Sequence, residues 1–178
     1  CTFANYWMHS GMLQVNSEKM SKSLGNFLLL FEVLDSTRPE ALRMLMLQTH
    51  YRSPLDFSIE RLHEADAALI RIENAVKNLT WLGATATAEA ASALDTVSLR
   101  ALAADAREDF IGAMDDDFNA PAALGAVFSL VGDANSAAST ATGDGAAGSL
   151  AIEDAEALIA VRDTIVDLMA VLGITIST

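Results

Sequence analysis

The sequence predicts a mainly α protein, in which a short strand-and-loop segment leads through a helical connector into an antiparallel four-helix bundle. Hydrophobic residues make up 52% of the 178, but many are alanines, which favour helix and add little buried area each. With aromatics at only 6%, that mixture suits closely packed helices better than a sandwich or barrel. Beyond residue 57, apolar side chains recur at helical spacing in four stretches separated by small, polar or glycine-rich segments. Four such helices with connecting loops read as an up-and-down bundle.

Composition divides the chain into residues 1–35, 36–57 and 58–178. In the first part, Leu13-Gln14-Val15 alternates apolar and polar like a short strand, running through Asn16-Ser17 into a lysine-containing loop. Phe27 to Leu34 is an apolar run that fits either a buried helix or a strand. In the connector, Thr37 and Glu40 have capping-box spacing and Pro39 falls in the first turn, where its missing N–H costs nothing. Leu42, Leu45 and Met46 then form an apolar stripe, and this helix is expected to end near His50, before Ser53-Pro54.

The bundle opens with a helix from Ser58 to Leu79, in which Leu62, Leu69 and Val76 form one buried row and Ala65, Ile72 and Leu79 another. Gly83 to Ala93 reads as a linker. A second helix from Leu94 to Met114 is expected to bury Leu99, Leu102, Ala106, Phe110 and Met114. Asn119 caps a third helix with Pro121 in its first turn, burying Leu124, Val127, Phe128 and Val131. Ala134 to Ser149 reads as a flexible connection, and a fourth helix from Leu150 to Leu172 buries Leu158, Ile165, Leu168 and Leu172.

Chemistry concentrates in Lys19-Met20-Ser21-Lys22-Ser23, followed by Leu24-Gly25-Asn26. Two ammonium groups three residues apart, with Ser21 and Ser23 flanking the second, suit a loop that closes over a polyphosphate. The lysines neutralise charge and the hydroxyls donate to phosphate oxygens. Gly25 and Asn26 tolerate the positive φ of a tight exit turn. The bland reading of the same residues is an exposed basic loop without a task.

The order of the residues resembles the signature loop of class I aminoacyl-tRNA synthetases, whose second lysine contacts the ATP phosphates. Tyr6-Trp7-Met8-His9-Ser10-Gly11, Pro39-Glu40-Ala41-Leu42-Arg43, His50-Tyr51-Arg52-Ser53-Pro54-Leu55-Asp56-Phe57-Ser58 and Met114-Asp115-Asp116-Asp117-Phe118-Asn119-Ala120-Pro121 are similar to cysteinyl-tRNA synthetase in particular. The resemblance implies that residues 1–35 end a class I catalytic domain, that 36–57 connect it, and that 58–178 face the tRNA stem. It further implies ATP with magnesium, cysteine and tRNA as partners of the intact enzyme. Lys22 is then the principal phosphate contact, with Lys19, Ser21 and Ser23 supporting closure. A zinc that binds the substrate thiol is implied upstream of Cys1, along with the other ATP signature, so this stretch alone is expected to be inactive.

The net charge of −13 lies entirely in residues 58–178, where nineteen acidic groups face six basic ones. For a tRNA partner that is unfavourable at long range, so any contact must use a few local cations. The lone Cys1 makes no internal disulfide and fits a reducing compartment, the cytoplasm. No apolar run reaches the roughly 18 residues of a membrane helix. Cys1, His9, His50 and His63 lack the close ligand pairs of a zinc site, and Asp115, Asp117 and Asn119 lack the glycine and glutamate of a calcium loop, so no metal is assigned here. The aspartates instead suit the end of one helix and the start of the next. Tyr51 is expected to pack at the domain junction, with Arg52 on helix C-terminal carbonyls. Trp7 and His9 fit either core or active-site wall. Two other functions stay open: a cysteine ligase acting on an amino-sugar, and a helical interaction module with a vestigial loop.

Overall fold

A computed structural model describes residues 3–16, 18–21, 29–142 and 150–176. Ser17, Lys22 to Leu28 and residues 143–149 lie outside this description, and with them part of the lysine loop and of the glycine-rich connection.

Strand β1 (Leu13–Val15) pairs antiparallel with β2 (Glu18–Lys19) and parallel with β3 (Leu55–Phe57), giving the order β2-β1-β3. Asn16 follows β1 at φ 51°, a left-handed conformation that asparagine tolerates better than most residues. Lys19 therefore sits on a strand, opposite Gln14, rather than in an open loop. The apolar run expected between Phe27 and Leu34 contributes helix α1 (Leu30–Ser36), of which only Val33 is buried.

Helix α2 (Pro39–Leu47) begins at the predicted proline but not with the predicted cap. Arg38 occupies the N-cap in extended conformation, and no side chain caps the helix. The Arg38 side chain is committed elsewhere: its Nε meets Asp66 at 2.5 Å and its Nη1 meets Glu73 at 2.6 Å, tying α2 to α3 (Ile59–Ala84). Partial burial opposes the charge on Arg38, but Asp66 and Glu73 outweigh it and hold the guanidinium above its usual pKa.

Four long helices form the body: α3, α4 (Thr96–Asp115), α5 (Ala120–Thr142) and α6 (Ile152–Val171). Both predicted rows of α3 are buried, with Ala65, Leu69, Ile72 and Val76 fully so. In α4 the buried set is Leu99, Ala103, Ala106 and Phe110, whereas Leu102 stays 38% exposed. Ala103 takes the inward position because the stripe steps by four residues from Leu99 instead of three. Met114 and Phe128 are half-buried. Helix α5 runs through the segment expected to be a connection from Ala134, because Ala134 and Ala138 continue its buried stripe and alanine favours helix. The connectivity also departs from a simple up-and-down order. Consecutive helices α3 and α4 scarcely touch, and each packs instead against both α5 and α6.

The stretch expected as a linker from Gly83 is partly ordered. Gly83 lies inside α3, where a Cβ would stand 2.7 Å from the Ile159 side chain, so its absence lets α6 come close. Strand β4 (Ala86–Thr87) pairs parallel with β5 (Leu150–Ala151). Just beyond β4, Ser92 Oγ and Ala93 N donate to the buried Asp154 carboxylate at 2.6 and 2.8 Å.

Helices α4 and α5 are joined by a turn in which Asp117 and Phe118 are both left-handed, at φ 56° and 54°. Asn119 Oδ1 then accepts from Ala122 N at 3.2 Å, the predicted cap. Asn119→Ala is expected to cost about 1 kcal/mol, the usual value of an N-cap, measurable by denaturant unfolding.

Acidification should destabilise the fold in a defined window. Backbone N–H and the Ser58 hydroxyl lower the Glu60 pKa, Ser98 lowers that of Asp95, and Tyr51 with Arg52 lowers that of Asp117. A carboxylate whose folded pKa is depressed stabilises fully above its unfolded value of about 4, and that contribution is lost as pH falls through the folded value. Thermal unfolding followed from pH 6 to pH 3 should show Tm falling below about pH 4. Asp95→Asn, which still caps but does not titrate, should flatten that fall.

Candidate functional site

The visible half of the lysine loop is built on the β1–β2 hairpin. Lys19 is exposed at the end of β2, Met20 and Ser21 are half-buried, and Lys22 and Ser23 lie outside the described residues. Met20 lines an apolar cavity of about 150 Å³ together with Leu13, Leu30, Val33, Leu45 and Phe57. The base of the loop is thus fixed by an apolar anchor while Lys19 faces solvent.

Three sequence blocks far apart in the chain converge next to this hairpin. Gly11 N donates to Tyr51 O at 2.6 Å, and Leu55 N donates to Met12 O at 3.0 Å. A Cβ at Gly11 would run into the Ser53 carbonyl and stand 2.8 Å from Pro54 N, so only glycine permits this approach. Between the two segments lies a cleft of about 320 Å³ bordered by Ser10, Leu13, Met46, Thr49, His50 and Tyr51.

The turn at residues 50–53 is held from the other side by Asp117. Tyr51 Oη donates to Asp117 Oδ1 at 2.7 Å, Arg52 Nη2 donates to the same oxygen at 2.9 Å, and Arg52 Nε lies 2.7 Å from Oδ2. Arg52 Nε also donates to Tyr51 Oη at 2.8 Å, and His50 stacks on Tyr51 at 5.0 Å. Hydrogen bonding by Tyr51, then by Arg52, holds the Asp117 carboxyl below its usual range. Arg52, for its part, is raised by its hydrogen bonds to Tyr51 and then to Asp117. Tyr51 thus bonds to the turn before α5, and Arg52 meets a carboxylate and not the end of α2. Nothing in the sequence pairs Asp117 with residues 65 positions away; a run of three aspartates before a helix cap was the only signal.

Trp7 and His9 are exposed and lie outside the core. Phe3, Trp7 and His9 stack in a ladder with centroid distances of 6.0 and 6.5 Å, and Phe3 and Trp7 are 94% and 66% exposed. Among the described residues, no three His, Cys, Asp or Glu side chains are grouped to hold a metal ion. No described helix is long and apolar enough to cross a membrane.

Charge is distributed unevenly over the bundle. Helices α4 and α6 carry nine carboxylates, among them Asp105, Glu108, Glu156 and Asp167, against three arginines. Helix α5 carries one, Asp133. The groove between α3 and α5, of about 410 Å³, is lined by Arg71, Asn74, Asn78, Asn135 and Phe128, with the Arg71 guanidinium 5.8 Å from the Phe128 ring centre.

The comparisons with known proteins fit this geometry. Residues 1–67 match the family described as tRNA synthetases class I (C) catalytic domain, and residues 109–177 match the DALR domain. The cysteine–tRNA ligase of Geobacter metallireducens is 46% identical over 176 residues, covering 97% of this chain and 34% of the relative. That of Caldicellulosiruptor saccharolyticus is 38% identical over 172 residues, again 97% and 34%. That of Moorella thermoacetica is 45% identical over 143 residues, 76% and 29%. A solved LeuRS from Agrobacterium radiobacter K84, in a ternary complex with tRNA and LeuAMS, shares the fold at a TM-score of 0.60 and 20% identity, over 92% of this chain and 22% of that one.

A catalytic-domain segment joined to a DALR domain defines a class I aminoacyl-tRNA synthetase. Within that class, the chain belongs to the cysteine–tRNA ligase family, and it spans about a third of the length of the curated relatives it matches.

Proposed function

We propose that the full-length protein carrying this segment ligates cysteine to tRNA. Cysteine and ATP, with magnesium, give cysteinyl adenylate and pyrophosphate, and the cysteinyl group then passes to the terminal adenosine of the tRNA. The observation that carries this reading is the match of residues 1–67 to a class I (C) catalytic domain, with the lysine loop rooted in that segment. Residues 1–35 serve as the end of the catalytic domain, 36–57 as the connector and 58–178 as the tRNA-stem-facing domain. Such an enzyme works in the cytoplasm.

In this reading Lys22 and Lys19 supply charge to the ATP phosphates, and Ser21 and Ser23 donate hydrogen bonds to their oxygens. As the cysteine carboxylate attacks the α-phosphorus, negative charge grows on the departing pyrophosphate. A cation delivered by loop closure stabilises that charge more than the ground state. The described residues here do not fit a zinc site, so no step of this segment runs through that metal. The groove between α3 and α5 is the favoured tRNA face, because Arg71 and the asparagines can meet phosphate and sugar oxygens while the carboxylates of α4 and α6 repel them.

The test is cysteine-dependent ATP–pyrophosphate exchange by the full-length protein, followed by charging of tRNA and of an amino-sugar. Exchange with transfer to tRNA is the expected result. Transfer to the sugar alone would favour the amino-sugar ligase, and no exchange would favour an interaction module.

A further inference from the structure

We propose that Asp117 is a positioning residue for Lys19 on the β1–β2 hairpin, acting through the turn at residues 50–53. The inference rests on the synthetase reading above. Asp117 touches no described residue of the loop, but a continuous set of short contacts joins the two. Its carboxylate accepts from Tyr51 Oη and Arg52 Nη2. The Tyr51 carbonyl accepts from Gly11 N at 2.6 Å, and the missing Cβ of Gly11 seats that strand directly on the Ser53 carbonyl. From Gly11 the chain runs into β1, whose Gln14 is paired with Lys19. The orientation of the first loop lysine is therefore referred, through three backbone segments, to the turn between two bundle helices.

One feature marks this as more than a surface ion pair. Asp117 is left-handed, and two donors converge on its Oδ1 while Arg52 Nε lies against its Oδ2. A carboxylate held in that way fixes the direction as well as the separation of its partners. The contact is also open to solvent, with the Asp117 and Arg52 side chains 40% and 65% exposed. Exposed pairs contribute little to global stability, so its loss should show in geometry before it shows in unfolding.

The experiment uses three variants of the full-length protein. Asp117→Gly removes the carboxylate and keeps a residue content with positive φ, Asp117→Asn keeps one acceptor oxygen, and Tyr51→Phe removes a donor from the other side. Asp117→Gly is expected to lower kcat for cysteine-dependent pyrophosphate exchange about tenfold, roughly what 1.4 kcal/mol of lost transition-state stabilisation gives, with KM for ATP changed less than about twofold. Asp117→Asn should fall about threefold, and Asp117→Gly combined with Tyr51→Phe should be no slower than Asp117→Gly alone, since both cut the same link. Tm should stay within about 2 °C of the parent. Wild-type kcat in Asp117→Gly, additive losses in the double variant, or a fall in rate matched by a fall in Tm would each overturn the proposal. A parent protein without exchange activity would instead overturn the synthetase reading, so the two failures are distinguishable.

Discussion

Lys22→Ala in the full-length protein should slow cysteinyl-adenylate formation by about 10²–10³, the usual effect of removing one preorganised donor from a developing charge. KM for cysteine should change little, because the amino acid does not use this cation, and most of the loss should fall on kcat. Pyrophosphate exchange reads the step directly, before tRNA enters. Lys22→Arg should recover only part of the rate: the charge returns, but a planar fork replaces a compact ammonium. An exchange rate for Lys22→Ala near that of the parent would remove the lysine from the chemistry.

Gly11→Ala should damage both fold and activity. The added methyl meets the Ser53 carbonyl and the Pro54 nitrogen, both backbone, so no side-chain rotation relieves the clash. Overpacking of this kind costs about 1–3 kcal/mol. The strain must open the bond from Gly11 N to Tyr51 O or displace β3 from β1, and either change reaches the lysine hairpin. Calorimetry and pyrophosphate exchange should therefore fall together. Gly112→Ala is the control. Nothing lies within 4 Å of its Cβ position in α4, and alanine there should stabilise by about 0.5–1 kcal/mol.

The sequence made the helices legible because their signal is local. Two interleaved rows of apolar residues in α3, and Asn119 two positions ahead of Pro121, each specify a helix within a few residues, and both are seen. Other features depended on partners that no local pattern announces. Arg38 rather than Thr37 flanks the start of α2 because Pro39 holds the residue before it extended, and its side chain reaches Asp66 and Glu73, 28 and 35 residues away. Strands β4 and β5 are two residues each, too short to have a period, and they find each other across 64 positions, from Ala86 to Leu150. In the candidate site the lysines announced themselves as a motif. The carboxylate of Asp117 did not, since its role exists only once the α4–α5 turn has closed on Tyr51.

Helix α6 and the residues that follow it have a consequence for folding. Helix α6 packs on α3, α4 and α5 alike, and beyond it Gly173, at φ 72°, presents its carbonyl to Arg43 of α2 while Ile174 and Ile176 are buried. During translation, a nascent polypeptide emerging from the ribosome can pair α4 with α5 early, since only a four-residue turn separates them. The remaining apolar faces of α3, α4 and α5 stay open until α6 and the residues up to Ile176 have been made, which makes that interval the one in which chaperones are needed.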